Sequence, residues 1–347
     1  MNYNNLYDFK TLYKSLKKCC RNVRWKDSVV GYEANALKNT YLLKQSLLND
    51  SYKIDKYQRF YVTEPKRREI IATRIKDRQL QRAICDCGFY EEITKGFIYH
   101  NFACQTGKGI LSAQNGFTNI LRQYYRKHGS NGWVLKCDVN HFFASIDHEV
   151  AKQAVRKRVS NDTVCKYVFG IIDSFGNIGL GLGSQISQLI ALSVLDDLDH
   201  FIKEKLRIKY YVRYMDDFIL IHEDKYYLKY ARKEIIEFLK SRHLTLNKKT
   251  ALFPLLQGVY FLKWRYILTG TGKVIKLMQK RKLKRSKRHY KKLIKRYKHG
   301  NLPLETVLNG FKSWCDSASA GNTHLIQQNM KKLILKEIKQ DERSQHL

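Results

Sequence analysis

Three aspartates lie beside apolar runs that are typical of buried strands. Asp138 ends the run WVLKCD, and Asp216 and Asp217 lie between two apolar runs within residues 210–222, YYVRYMDDFILIH. Carboxylates in such surroundings are costly to ionise unless a cation neutralises them. Mg²⁺ prefers oxygen ligands, and two such ions about 3.5–4 Å apart can hold the attacking and leaving oxygens of a phosphoryl transfer. The pattern therefore predicts metal-assisted phosphoryl transfer, with a solvated turn as the alternative for the Asp216-Asp217 pair.

The elements that must position these acids can be predicted from the periodicity of the apolar residues. Residues 1–50 have helical spacing, residues 57–78 indicate a hairpin with a basic tip, and a helix is expected from Asp77 to about Ile93. Further along the chain we expect a strand at 133–139, a helix at 148–172, a glycine-rich loop at 176–184, a helix at 187–206, a strand–turn–strand at 210–222, a helix at 225–242, a strand at 258–266 and a basic helix at 276–298.

The composition indicates a folded protein with a polyanionic partner. Lys and Arg number 65 against 31 Asp and Glu, a net charge of +34, while 44% of the residues are hydrophobic. Such an excess favours nucleic acid as the partner, with an anionic membrane surface second. No uncharged apolar run approaches the roughly 20 residues of a spanning helix. The N-terminus lacks an apolar signal region, and the eight cysteines are scattered. We therefore expect a cytoplasmic protein with reduced thiols and no membrane association.

Five segments resemble the motifs of reverse transcriptases, and they follow one another along the chain in the order that the family has. Residues 214–217, YMDD, resemble the YxDD box, and residues 136–147, KCDVNHFFASID, resemble the first palm motif. Residues 179–188, GLGLGSQISQ, are similar to the G-[LI]-P-x-G-x-x-x-S-Q segment. Residues 258–262, GVYFL, resemble the primer-grip strand, and residues 68–78 resemble the R-x-I…x-D-R finger segment of bacterial retroelement enzymes.

The resemblance implies an α+β right-hand polymerase fold, with fingers, a palm built on an antiparallel sheet and a helical thumb. On this basis residues 1–50 form an N-terminal helical extension, 51–132 the fingers, 133–268 the palm and 269–347 the basic helical thumb. We also expect a bare polymerase core without an appended nuclease or integrase domain.

The resemblance also implies roles for individual residues. Asp138, Asp216 and Asp217 would be catalytic and, together with Val139, would hold two Mg²⁺ ions, for which Mn²⁺ could substitute. Phe143 would be the steric gate that excludes a ribose 2′-hydroxyl and so favours dNTPs, with core packing as the alternative. The other positions expected at the incoming nucleotide are Lys66, Arg74, Leu182, Gly183, Gln188 and Tyr214. Those expected to contact nucleic acid are Arg68, Arg78, Lys108, Lys249, Tyr260, Phe261, Leu262, Arg281, Lys284, Arg285 and Arg288; for Arg68 and Arg78, pairing with an internal acid is the alternative.

Four departures from the family pattern bear on these expectations. Gly181 replaces the proline of the glycine-rich segment, which predicts a looser loop. Leu182 stands where many retroviral enzymes have glutamine, and we hypothesise that it relaxes the checking of base pairs. Lys263 replaces the glycine of the primer grip, and residues 246–250 are one position shorter than the usual L-N-x-x-K-T.

The resemblance implies an RNA-directed DNA polymerase that makes cDNA by two-metal nucleotidyl transfer. The motifs are most similar to reverse transcriptases of diversity-generating retroelements, within the group II intron-like bacterial lineage. An antiphage-defence enzyme that copies a companion noncoding RNA is the main alternative; a retron enzyme and a non-catalytic RNA-binding scaffold are the others. The expected partners are an RNA template, a DNA or RNA primer, dNTPs, and a dedicated structured noncoding RNA or accessory protein.

Overall fold

The computed structural model describes residues 3–63 and 67–342, with side chains through residue 338. Its α-helices are α1 (Phe9–Cys20), α2 (Asp27–Ala34), α3 (Ala36–Leu48), α4 (Ile75–Ile84), α5 (Tyr90–Thr94), α6 (Ile110–His128), α7 (Phe142–Ser145), α8 (His148–Arg156), α9 (Asp162–Asp173), α10 (Gln185–Val194), α11 (Asp196–His200), α12 (Lys225–Lys240), α13 (Lys280–Lys298), α14 (Leu304–Ala318) and α15 (His324–Glu342). Its strands are β1 (Gln58–Val62), β2 (Arg68–Ala72), β3 (Trp133–Asp138), β4 (Tyr210–Tyr214), β5 (Asp217–His222), β6 (Ala251–Pro254), β7 (Val259–Phe261), β8 (Trp264–Leu268) and β9 (Val274–Met278).

The strands form three sheets. The expected hairpin of β1 and β2 is antiparallel, with Phe60 opposite Ile70. The largest sheet has the order β4-β5-β3-β6, so β3 lies between strands that come later in the chain. The third sheet is the antiparallel meander β7-β8-β9. The mixed helix and sheet content confirms the predicted α+β class.

The chain divides into two compact units. One comprises residues 1–109, 136–219 and 229–251, and the other comprises 110–135, 220–228 and 252–347. In the first unit, Leu16, Cys20 and Val29 of the N-terminal helices pack with Ile75 of α4. In the second, the last three helices share a core of Tyr290, Ile294, Val307, Met330 and Ile334. Burial of such side chains contributes roughly 1.5–3 kcal/mol each.

Several element boundaries differ from the sequence predictions. The helix expected at 148–172 is divided into α8 and α9, because Asn161 caps the second helix through a hydrogen bond from the Val164 amide. The strand expected at 258–266 is two strands, since Leu262 and Lys263 both adopt positive φ and reverse the chain. The basic helix begins at Lys280 rather than 276, because residues 274–278 pair with β8.

None of the helices within the described residues is both long enough and apolar enough to span a membrane.

Candidate active site

Asp138 is the last residue of β3. Val134, Leu135 and Cys137 are fully buried, as expected for a strand in the middle of a sheet. Just past the strand, the Val139 amide donates to the carbonyl of Asp216 at 3.3 Å, and the Asn247 amide donates to the carbonyl of Asp138 at 2.7 Å. These two hydrogen bonds hold the end of β3 next to the turn that carries the other two aspartates.

Asp216 and Asp217 lie where β4 turns into β5. Met215 takes φ +57°, a left-handed conformation that lets two residues reverse the chain. Asp216 lies in the turn and Asp217 begins β5, and both side chains are partly buried. The tight turn therefore presents two adjacent carboxylates at the end of the hairpin instead of directing them to opposite faces of a strand.

The electrostatics of the three acids are coupled. Burial raises the pKa of Asp216, the charge of Asp138 raises it further, and the charge of Arg68 opposes the rise. Burial raises the pKa of Asp217 to about 6, although the Lys136 ammonium, 3.2 Å from its Oδ2, lowers it. Each acid therefore lies within the field of the others, an arrangement that favours a bound cation.

The donor set suits a hard divalent cation. Asp217 Oδ1 is buried and has no hydrogen-bond partner, so a buried carboxylate oxygen is left available as a ligand. Within the described parts of the chain, however, no group of three or more His, Cys, Asp or Glu side chains is arranged to hold a metal ion. Mg²⁺ completes its coordination with water and substrate phosphates and needs only one or two carboxylates, so the residues present fit this ion. The metal-binding roles of Asp138, Val139, Asp216 and Asp217 stay a prediction.

The short segment after Asp138 positions Phe143. His141 takes φ +44° and begins the turn of helix α7. The Phe142 ring is buried, whereas the Phe143 ring is partly exposed and packs edge-to-face on it, with 5.7 Å between the centroids. The carbonyl of Phe143 accepts from the Leu180 amide at 2.7 Å. Phe143 is thus fixed at the backbone while its ring stays accessible, as a steric gate requires.

The glycine-rich loop is held from two sides. The Ile71 amide of β2 donates to the carbonyl of Leu182 at 3.1 Å, and Gly183, at φ +121°, is exposed beside it. Gly181 is buried against Phe175, where an added Cβ would lie 2.2 Å from the ring. This close packing gives a steric reason for glycine in place of the family's proline.

Cys104 and Gln188 lie next to the hairpin turn. The Cys104 thiol contacts Oε1 of Gln188 at 3.4 Å and Sδ of Met215 at 3.8 Å. Tyr214, the last residue of β4, is partly buried. The structure therefore brings Gln188 and Tyr214 toward the turn that carries Asp216.

The basic residues of the first unit that are predicted to contact nucleotide or nucleic acid have different environments. Lys66 lies outside the described residues. Arg74 is exposed and donates to the carbonyl of Lys56, and Arg78 donates to the hydroxyl of Thr73. Lys108 instead donates to the carbonyls of Tyr99 and Asn101, which ties its ammonium to the protein. Lys249 is exposed near the end of the segment that follows α12.

The predicted contacts of the second unit lie on β7, on the turn that follows it and on α13. Tyr260 is exposed, whereas Phe261 is buried and packs on Phe117, so its side chain belongs to the core. The carbonyl of Leu262 accepts from the side-chain amide of Gln114. The exposed cations of α13 include Arg281, Lys284, Arg285 and Arg288.

Two polar contacts at the site were not predicted from the sequence. Lys136 precedes Asp138 by two residues and so shares its face of β3, a period-two signal that could have identified it. Arg213 is fully buried in β4, donates to both carboxylate oxygens of buried Asp199, and donates through Nη1 to the carbonyl of Met215 at 3.0 Å. A charged residue inside an apolar strand was the available signal for Arg213.

Comparisons with known proteins identify the family to which the chain is related. Residues 54–257 match the family described as reverse transcriptase (RNA-dependent DNA polymerase). No curated protein sequence matches the chain.

Solved telomerase structures are similar in fold. A truncated apo telomerase of Candida tropicalis aligns with a TM-score of 0.50 at 12% identity, over 64% of this chain and 55% of that chain. A Candida albicans telomerase in complex with a fragment of telomeric RNA aligns with a TM-score of 0.50 at 12% identity, over 82% of this chain and 54% of that chain. The chain thus spans about half the length of the telomerase chains that it matches. At this identity the likeness shows the fold alone, but the family match covers more than half of the chain, and the protein therefore belongs to the reverse transcriptase family.

Proposed function

We propose that the chain is an RNA-directed DNA polymerase that extends a primer with dNTPs on an RNA template. The observation that carries the proposal is the meeting of Asp138 with Asp216 and Asp217 in a chain of the reverse transcriptase family. Burial raises the pKa of Asp216 and of Asp217, and the charge of Asp138 adds to both shifts, so these carboxylates are costly to ionise unless a cation neutralises them.

The three aspartates would hold divalent ions, with Mg²⁺ favoured by their oxygen ligands and Mn²⁺ as a substitute. When bound, the metal would neutralise the carboxylates and the charge of the nucleotide phosphates. Lys136 donates a hydrogen bond to Oδ2 of Asp217, so Oδ1 of the same carboxylate is left to bind a metal ion. Arg68, whose charge acts on Asp216, would meet the triphosphate or the template near that carboxylate.

Phe143 would select the sugar of the incoming nucleotide. Its ring is partly exposed, and a phenyl group offers no acceptor to a 2′-hydroxyl. The backbone contacts to Leu180 and the close approach of Gly179 to Ala144 would keep the ring from moving aside. These contacts support dNTPs as the substrates.

The biological role that we propose is cDNA synthesis in a diversity-generating retroelement, with copying of a companion noncoding RNA in antiphage defence as the alternative. The net charge of +34 supports a structured RNA partner in addition to the template. Sequencing the RNA that copurifies with the protein would identify the template and so separate the two roles.

The test is primer extension on an RNA template with Mg²⁺ and labelled dNTPs. We expect extension by the wild type and none by Asp216→Ala, with Glu91→Gln, an exposed carboxylate of α5, as the matched control. Synthesis that survives Asp216→Ala would refute the assignment of the site. Absence of synthesis by a folded wild-type protein that still binds RNA would favour the non-catalytic scaffold.

A further inference from the structure

The turn between α14 and α15 is docked onto the meander of β7, β8 and β9. The amide of Asn322 in this turn donates to the carbonyl of Lys276 at 2.9 Å, and the Lys276 amide donates to Oδ1 of Asn322 at 2.8 Å. Lys276 lies in β9, an outer strand of the meander. One asparagine thereby pairs with both backbone groups that Lys276 presents at the edge of the sheet, as a further strand would.

A second contact of the same turn requires glycine. A Cβ added to Gly321 would lie 2.4 Å from the ring of Trp264, so a larger residue would push the turn off the meander. Trp264 is buried at the start of β8. The neighbouring Thr323 is also buried, and its hydroxyl donates to the carbonyl of Ala318 at 2.7 Å, which closes the turn at the end of α14. The three residues 321–323 are therefore fitted to the surface of the meander.

These contacts support the meander on both sides of Tyr260. Trp264 is opposite Phe261, and the residue opposite Lys276 is itself opposite Val259. Tyr260 lies between Val259 and Phe261 and is 47% exposed. Strand β7 has three residues, and a strand this short depends on its neighbours for its position. The α14–α15 turn thus acts on both rows of the sheet that flank the exposed tyrosine.

The chain reversal after Tyr260 also needs support. Leu262 and Lys263 take φ +41° and +81°, a conformation that costs about 1–2 kcal/mol for each residue with a side chain. Such strain persists only where the surrounding structure holds it. The side-chain amide of Gln114 donates to the carbonyl of Leu262 at 3.0 Å, and Trp264, which follows Lys263, packs against the α14–α15 turn. The reversal is therefore held at both of its ends.

The last three helices form a bundle that is joined to the meander at two places. Within the bundle, the Tyr290 hydroxyl donates to the carbonyl of Gly310 at 2.8 Å, and the Trp314 indole donates to the Ser286 hydroxyl at 3.0 Å. The first connection to the meander is Gln279, the single residue between β9 and α13. A chain connection alone would leave a hinge at this point. The docked α14–α15 turn is the second connection, and it fixes the orientation of the bundle.

We propose that Gly321 and Asn322 are positioning residues for the primer. By docking on the meander they fix β7, and with it the primer 3′-hydroxyl, relative to the helices that hold the duplex. This inference rests on the proposed function, because it gives β7 and Tyr260 the role expected of the primer-grip strand. Gly321 and Asn322 act through β7 and not by contact with the reacting groups. A displacement of about 1 Å at a reacting group costs about 100-fold in rate, so a loosened meander has a measurable effect.

The test is the first nucleotide addition in a single turnover, on an RNA template with an annealed primer and at saturating dNTP. Asn322→Ala and Gly321→Ala should each lower the rate constant about tenfold or more, through displacement of the primer end. The Kd of the duplex should change by less than about twofold, because the cations of α13 are untouched. Asn322→Asp should keep most of the rate, since a carboxylate oxygen also accepts from the Lys276 amide.

Gly310→Ala and Asn301→Ala are the matched controls and should react like the wild type. Outside its own helix, a Cβ added to Gly310 meets only the Tyr290 hydroxyl, at 4.0 Å, and Asn301 is exposed in the turn between α13 and α14. Hydrogen exchange of the Lys276 amide reports the docking without catalysis. This amide should exchange faster in Asn322→Ala than in the wild type, and Asn322→Asp should restore its protection.

The rate constant and the amplitude of the single turnover separate positioning from folding. A lower amplitude with an unchanged rate constant in Asn322→Ala would overturn the inference, because the substitution would then only reduce the fraction of folded enzyme. Weaker duplex binding with an unchanged rate constant would overturn it as well, and both results would leave the proposed function intact. Failure of the wild type to extend any primer would overturn the proposed function, and the inference with it.

Discussion

Lys136 is the cation beside one of the aspartates that we propose as metal ligands. Its ammonium lies 3.2 Å from Oδ2 of Asp217, on a side chain that shares one face of β3 with Asp138. A cation in this position keeps Asp217 ionised in spite of burial, and it also repels a second cation. If Asp217 binds a metal ion as we propose, Lys136 keeps its carboxylate ionised but also weakens the binding of the ion through its own positive charge.

Replacing Lys136 by methionine should lower the Mg²⁺ concentration that gives half-maximal primer extension. Two unit charges about 4 Å apart interact by about 1 kcal/mol in bulk water and by about 4 kcal/mol near a protein surface, so removal of this charge should raise the metal affinity at least several-fold. Lys136→Arg keeps the charge and should leave the Mg²⁺ dependence unchanged. A higher Mg²⁺ requirement in Lys136→Met would show instead that Lys136 mainly positions Asp217.

His100 makes the stability of the chain sensitive to acid. Burial and the charges of Lys203 and Lys108 lower the pKa of His100 to about 4, against 6.5 for an unperturbed histidine. Below pH 6.5 the unfolded chain takes up a proton that the folded chain does not, so this residue reduces stability as the pH falls toward 4.

His100→Gln should therefore lose less stability than the wild type between pH 7 and 4.5, with a difference of about 1–3 kcal/mol. Urea unfolding at the two pH values measures this difference. His289→Gln, at an exposed position of α13, should change with pH like the wild type. Parallel pH dependence of His100→Gln and the wild type would contradict the assignment.

At the scale of elements, the turn between β4 and β5 is anchored by a buried ion pair. Arg213 and Asp199 are both fully buried, and the Tyr211 hydroxyl donates to the same carboxylate at 2.6 Å. The remaining guanidinium nitrogen reaches the carbonyl of Met215, the residue at positive φ beside Asp216. Helix α11, which carries Asp199, thus fixes the conformation of the turn that contains Asp216.

Arg213→Lys should reduce kcat at least tenfold while it leaves the KM for dNTP nearly unchanged. Lysine keeps the charge opposite Asp199, but a single ammonium cannot reproduce the several hydrogen bonds of the guanidinium. Arg158→Lys is the control, because Arg158 pairs with Asp196, another buried acid of the same helix. If both variants lost activity equally, and in proportion to the fraction of unfolded protein, Arg213 would act only on stability.

The apolar runs of the sequence were enough to predict the strands and the turn of the candidate site, but not the ion pair that anchors the turn. The apolar runs around Asp138 and Asp216 located the strands and the turn, because a buried strand requires them. The partner of Arg213 could not be predicted, since Asp199 lies 14 positions away on a helix and only the tertiary fold brings the two together.

The start of the basic helix shows a second limit of sequence patterns. Residues 274–278 contain lysine among apolar residues and also fit helical spacing, but hydrogen bonding to β8 makes them a strand. Tertiary pairing here overrides the local pattern. Similarly, Lys263 adopts φ +81° where the family has glycine, a conformation that the side chain itself disfavours.

At the scale of the whole molecule, the charge is distributed over both units. The N-terminal helices of the first unit carry exposed cations, among them Lys10, Lys14 and Lys38, while α13 of the second presents exposed cations along its length. A helix of 19 residues is about 28 Å long, enough to follow several phosphates of a duplex. We expect α13 to contribute affinity that is independent of sequence and steeply dependent on salt.

Replacing Arg281, Lys284 and Arg288 together by glutamine should weaken the binding of a blunt RNA–DNA duplex. It should also reduce the slope of log Kd against log salt by about two to three, because each phosphate that the helix no longer neutralises contributes close to one. Neutralising Lys10, Lys14 and Lys38 removes the same charge from exposed positions of α1 and α3. If general attraction by the net charge of +34 governed binding, both triple variants would change the slope equally. A change confined to the α13 variant would place the duplex phosphates on that helix, because counterions are released only where a cation and a phosphate meet.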